Sequence, residues 1–324
     1  MKGAKPWLLA IGLAGLAACI LLVIDQGMGD VWQAMAGLGW GFILIVLWRT
    51  LSLVTAAQAW RCLLLADARP SLGRMSLWRW ICEAINSLLP VAQIGGDLVR
   101  ARLAGASQGA AASGAAVVVD ITLNLLMQCL FALLALAVFI GGSGTGYGGS
   151  LAATLLLSAG GIALFWALQK RGLFGLLARF VAIIGKGASL DKTLAGAESL
   201  DQAIRSLYAR PGDLATALFW HMLSTASRVG EVWLILFLMG RPASLVAALI
   251  IESLTALLRT AAFLVPGGLG VQEGSLLALG GLVGIAPEAA LAMALIKRGR
   301  EISVGLMGLL AWGAVKSIYA SIKK

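Results

Sequence analysis

Four ionisable residues within five positions, Lys297, Arg298, Arg300 and Glu301, interrupt an apolar run over 289–312. A charge at the centre of a membrane helix costs about 2.5 to 3.5 kcal/mol on insertion scales, so such groups persist where they pair, bind or move something. Three cations against one local acid leave positive charge to be met by Glu273, Asp97, Asp120 or an anionic ligand. A lipid phosphate suits them, since Arg offers a rigid fork of donors and Lys a mobile point charge.

Other polar residues recur at helical spacing inside apolar runs. Asp120, Asn124 and Gln128 form one stripe, His221, Ser224, Arg228 and Glu231 a second, and Glu252 and Arg259 lie seven apart on one face. Acids and bases are nearly balanced, so a purely architectural reading also stands, in which pairs such as Arg228 with Glu231 fix helix packing. No nucleophile sits beside a base and no residues have metal-ligand spacing, so neither catalytic residues, metal nor cofactor is expected. His221 is the single histidine and reads as a polar residue near a helix end. Cys19, Cys62, Cys82 and Cys129 read as small apolar side chains.

Two interrupted segments must position these charges. Residues 263–276, FLVPGGLGVQEGSL, contain Pro266, Gly267, Gly268 and Gly270 ahead of Gln272 and Glu273. Proline removes a backbone donor and glycine fixes no rotation, so a helix breaks here. At membrane depth a break survives only where protein or a watery cavity covers it. A helix restarting near Gly270 is expected to point free N–H groups and partial positive charge into that cavity, with Glu273 in its first turn holding Arg298 or Arg300. The earlier segment LLPVAQIGGDL has the same layout: Pro90, Gln93 and two glycines precede Asp97, with Arg100 beyond. Each proline stands seven residues before its acid. Three spans separate the two segments, so they enter from opposite sides, the trace of an inverted repeat whose broken helices meet at the midplane.

The frame is a membrane. Of 324 residues 60% are hydrophobic and 12% charged, and mean hydropathy is +0.93. Apolar segments near 7–24, 40–65, 110–140, 151–168, 214–239, 245–265, 269–285 and 289–312 approach or exceed the length that crosses about 30 Å of hydrocarbon. The net charge of +10 lies in short loops, as the positive-inside rule requires, which argues against nucleic acid as a partner. Lys2 and Lys5 set the N-terminus inside; Arg61, Arg69, Arg74 and Arg79 mark the next cytoplasmic return; Lys316, Lys323 and Lys324 hold the tail inside. The apolar run continues past Cys19, so no cleaved targeting segment is expected. The expected fold is an all-α polytopic membrane protein, one domain over 1–324. It has six full spans, re-entrant hairpins at 76–109 and 244–286, and a cytoplasmic amphipathic elbow over 170–212. Eight crossings keep the same parity.

The run 266–274, PGGLGVQEG, followed by Lys297-Arg298-Gly299-Arg300-Glu301 and preceded by Leu89-Pro90 with Gly95-Gly96-Asp97-Leu98-Val99-Arg100, resembles the flippase-like membrane domain of lysylphosphatidylglycerol synthases. Within that group it looks closest to the stand-alone proteins associated with hopanoid biosynthesis. The resemblance implies a bacterial inner-membrane protein that moves or helps export lipids, with lipid-biosynthesis enzymes as candidate partners. On matching positions it implicates Pro90, Asp97, Arg100, Pro266, Gly268, Gly270, Glu273, Arg298, Arg300 and Glu301. The synthases carry a soluble aminoacyl-transfer domain; with none after Lys324, the expectation is the lipid-moving half without lysyl transfer. An enzyme transferring a group to a lipid, or a scaffold for a lipid-synthesis complex, are the alternatives.

Overall fold

Every described element is a helix. The computed structural model describes residues 38–88, 95–143, 190–262 and 268–322, with isolated positions 160, 167, 171 and 265. The segments 7–24 and 173–184, nearly all of 151–168, and Pro90, Gln93 and Pro266 lie outside the described residues.

Four helices are long. α1 (Gly41–Cys62) is long and apolar enough to cross a membrane, as is the Ala110–Gly141 part of what becomes α4. After α1, α2 (Leu72–Leu88) and α3 (Gly95–Gln108) form a pair, and α4 (Ala110–Ser143) follows. α5 (Leu190–Tyr208) joins the halves. α6 (Pro211–Leu238) then runs 28 residues and α9 (Pro287–Ile322) runs 36, each opening on a proline, whose missing N–H costs nothing in a first turn. Between them lie the short α7 (Leu245–Ala261) and α8 (Val271–Leu282). At 1.5 Å per residue, α2, α3, α7 and α8 reach about 26 Å at most.

Local chemistry explains the second break. Ser244 caps α7 by accepting from the Ala247 N–H at 3.1 Å. Gly268 and Gly270 both take positive φ, +62° and +78°, which side chains disfavour. Glu273 then reaches back, its Oε2 accepting the Gly270 N–H at 2.8 Å, to start α8.

Packing is symmetric under exchange of the two halves. The pairs α1–α2, α2–α3, α3–α4 and α2–α9 have counterparts in α6–α7, α7–α8, α8–α9 and α7–α4, while α1 packs on α6. Asp97 and Glu273 are each the third residue of their helix, α3 and α8. Small residues permit the closest approach: a Cβ at Gly308 of α9 would stand 2.8 Å from the Ala84 Cβ of α2.

Two apolar clusters lie toward opposite ends of α1 and α6. One joins Ile45 with Ile235, Ile251, Leu276 and Met293; the other joins Trp60 with Trp78, Val119, Ile204 and Ala217. Large apolar side chains such as Leu134, Phe237, Leu306 and Leu310 stay exposed, as on a surface that faces hydrocarbon. Along α1 and α6, Arg49 and Arg228 fall between the stretches that join the two clusters. Two expectations change here. Arg79 belongs to a helix instead of to a loop, because α2 starts at Leu72, two turns before it. His221 is the eleventh residue of α6 and fully buried, far from a helix end.

Candidate functional site

A cavity of about 250 Å³ opens among α1, α2, α4, α6, α7 and α9. Its wall carries six cations, Arg49, Arg79, Arg228, Arg259, Lys297 and Arg300, against four carboxylates, Glu83, Glu231, Glu252 and Glu301, leaving two positive charges over. Asn86, Ser87, Asn124, Gln128, Thr255 and Thr260 add amides and hydroxyls.

Each wall helix delivers its charges from one face. Arg79 and Glu83 stand one turn apart on α2; Arg49 of α1 pairs with Glu83. On α9, Lys297 reaches Glu252 of α7 at 2.6 Å, Arg300 reaches Glu231 of α6 at 2.9 Å, and Glu301 takes Arg259 of α7 at 2.8 Å. Arg228 of α6 has a longer contact, 3.5 Å to Glu252, and donates to Thr225 Oγ1 at 2.9 Å. Low local dielectric strengthens such pairs and makes removal of either partner costly.

Two clusters support the wall from behind. Asp120 is fully buried: its Oδ2 accepts from Arg79 at 2.9 Å and Arg100 at 2.6 Å, and its Oδ1 lies 3.0 Å from His221 Nε2. Arg100 also binds Asp97 and lies over the Trp60 ring, 5.0 Å from its centroid. On the other side Arg298 bridges Glu273 at 2.8 Å and Glu301 at 2.9 Å. Arg259 donates to Gln272 as well as Glu301, and the backbone at Gly268 lies against its guanidinium. His221 Nδ1 and Gln272 Nε2 are buried without a hydrogen-bond partner among the described residues.

The residues singled out from sequence divide in two. Arg228, Arg259, Lys297, Arg300 and Glu301 line the cavity. Asp97, Arg100, Asp120, Gly268, Gly270, Gln272, Glu273 and Arg298 do not; Asp120, Gln272 and Arg298 bind wall residues directly, and Asp97, Arg100 and Glu273 act on the wall through Asp120 and Arg298. The start of α8 therefore presents no free Gly270 N–H to the cavity, because Glu273 accepts it. Partners also differ from the nearest-neighbour expectation: Arg228 meets Glu252, and Glu231 meets Arg300. Glu273 does hold Arg298, while Arg300 goes elsewhere.

Arg49, Arg79, Glu83 and Asn86 are wall residues that sequence reasoning missed. Arg49 carried a usable signal, a lone charge in the apolar run 40–65. The spacing of Arg79 and Glu83, four apart, carried another.

Neither a curated protein nor a solved structure matches this chain. A family model does, over residues 7–308, which include the wall and both supporting clusters. The chain belongs to the family described as the lysylphosphatidylglycerol synthase TM region, and is a helical membrane protein with a lipid-related role.

Proposed function

We propose that this protein is a lipid flippase or exporter of the bacterial inner membrane, moving a lipid whose charged headgroup passes through the cavity, with no chemistry on the lipid. The observation that carries this reading is the cavity itself: six cations and four carboxylates gathered on its wall, beside helices whose outer faces are apolar. Such a cluster is too costly in hydrocarbon to persist without a role in packing or passage.

The architecture supports the same reading. The arms of α2–α3 and α7–α8 are short for a 30 Å crossing, which favours re-entrant hairpins. The symmetric packing, combined with the odd number of spans that the sequence predicts between the hairpins, favours an inverted repeat with both termini cytoplasmic. Mixed cations and carboxylates suit an anionic or aminoacylated phospholipid, or an extended hopanoid with a polar tail, and enzymes that make such a lipid are the natural partners. The phosphate of a headgroup would meet Arg and Lys, and an ammonium would meet the carboxylates.

Lipid analysis of separated inner and outer membranes, with and without the gene, tests this. The expected result is one lipid retained in the inner membrane when the gene is absent, its chemical structure unchanged. A lipid chemically altered by the protein points instead to group transfer, and unchanged lipid distributions contradict transport.

A further inference from the structure

We infer that Arg228 is the residue that reads the anionic group of the headgroup, with Glu252 as a shared counter-ion that Lys297 retains when the anion arrives. This deepens the translocation reading and rests on it. Five of the wall cations have a close carboxylate: Arg49 with Glu83, Arg79 with Asp120, Arg259 with Glu301, Lys297 with Glu252 and Arg300 with Glu231. Among the described residues the carboxylate nearest to Arg228 is Glu252, whose Oε1 lies 3.5 Å away, and the other oxygen of that carboxylate is held by Lys297 at 2.6 Å.

The consequence is a difference in what each cation would leave behind. An anion that drew Arg49 away would strip Glu83 of the guanidinium it pairs with, and an unpartnered buried carboxylate is expensive. An anion at Arg228 leaves Glu252 paired with Lys297, so no charge is orphaned. Thr225, itself buried, fixes one Arg228 nitrogen through its hydroxyl, which orients the fork toward the cavity it lines. An oriented guanidinium whose remaining N–H groups have no short hydrogen bond among the described residues matches two oxygens of a phosphate ester.

The test uses the full chain in detergent, with bound lipid read by native mass spectrometry, and phosphatidylglycerol compared with a neutral glycosyl diacylglycerol. Wild-type protein is expected to prefer the phosphate lipid, and Arg228→Gln to lose about ten- to a hundredfold of that preference, the scale of charged hydrogen bonds. Thr225→Val keeps the charge and shape, and is expected to weaken phosphatidylglycerol binding without changing neutral-lipid binding. No preference in the wild type, or an unchanged preference in folded Arg228→Gln, overturns the inference. Should Arg228→Gln fail to fold, unchanged phosphatidylglycerol binding in Thr225→Val does so. Competition by inorganic phosphate shows that the oxyanion itself is read; competition by glycerophosphoglycerol alone shows that the whole headgroup is. An Arg228-dependent preference without vesicle translocation leaves the residue assignment standing and removes the flippase reading.

Discussion

Ser52 and Ser224 face each other where α1 crosses α6, their hydroxyl oxygens 3.1 Å apart and the Ser224 hydroxyl donating to the Ser52 carbonyl at 3.0 Å. α1 and α6 form the most extensive helix contact among the described residues, and the two serines lie within it. Small hydroxylated residues allow close backbone approach and supply interhelical hydrogen bonds. The double variant Ser52→Cys/Ser224→Cys is expected to form a disulfide under mild oxidation, read as loss of two titratable thiols. Retention of both introduced thiols beside the four native cysteines would contradict the crossing.

Asp120 pairs with two guanidiniums and with His221, its carboxylate closed to solvent. Asp120→Asn keeps the shape and removes the charge, leaving Arg100 with Asp97 alone. A loss of about 3 to 5 kcal/mol is expected, the scale for a broken buried pair. Thermal unfolding in detergent measures it, and an unchanged midpoint would count against the cluster.

Gly308 lets α9 approach α2, where a side chain would meet Ala84 and Trp80. Gly308→Val is expected to cost about 1 to 3 kcal/mol by overpacking. Gly313, with open space around it, tolerates the same change in the same unfolding measurement.

Gly268 combines a positive φ with a guanidinium against its backbone: a Cβ there would stand 3.1 Å from Arg259 Nε. Gly268→Ala is expected to cost about 1 to 2 kcal/mol in backbone strain and to push Arg259 away from Gln272 and Glu301. Gly274→Ala, in open space on α8, is expected to be neutral or stabilising. Lipid movement by the two variants separates them: Gly268→Ala slows it and Gly274→Ala does not.

The sequence made the breaks and the costly charges legible, because Pro266 with its glycines and the Lys297–Glu301 group violate what a plain membrane helix tolerates. It left partner choice hidden. Arg228 and Glu231, three apart, read as a pair, yet the rotation of α6 against α7 and α9 sends one to Glu252 and the other to Arg300. Symmetry was visible at Asp97 and Glu273 but not deeper in the fold. Asp120 and Lys297 are each the eleventh residue of α4 and α9 and carry opposite charges, so the matching helix packing is not accompanied by matching side chains there.

The central claim is that the charged cavity carries headgroups across the bilayer. The direct measurement is translocation of headgroup-labelled lipid in vesicles containing the purified chain, followed by quenching of the outer leaflet. The account predicts faster exchange than in empty vesicles, slowed by Arg228→Gln. Exchange at the rate of empty vesicles, for phospholipids and extended hopanoids alike, would contradict it.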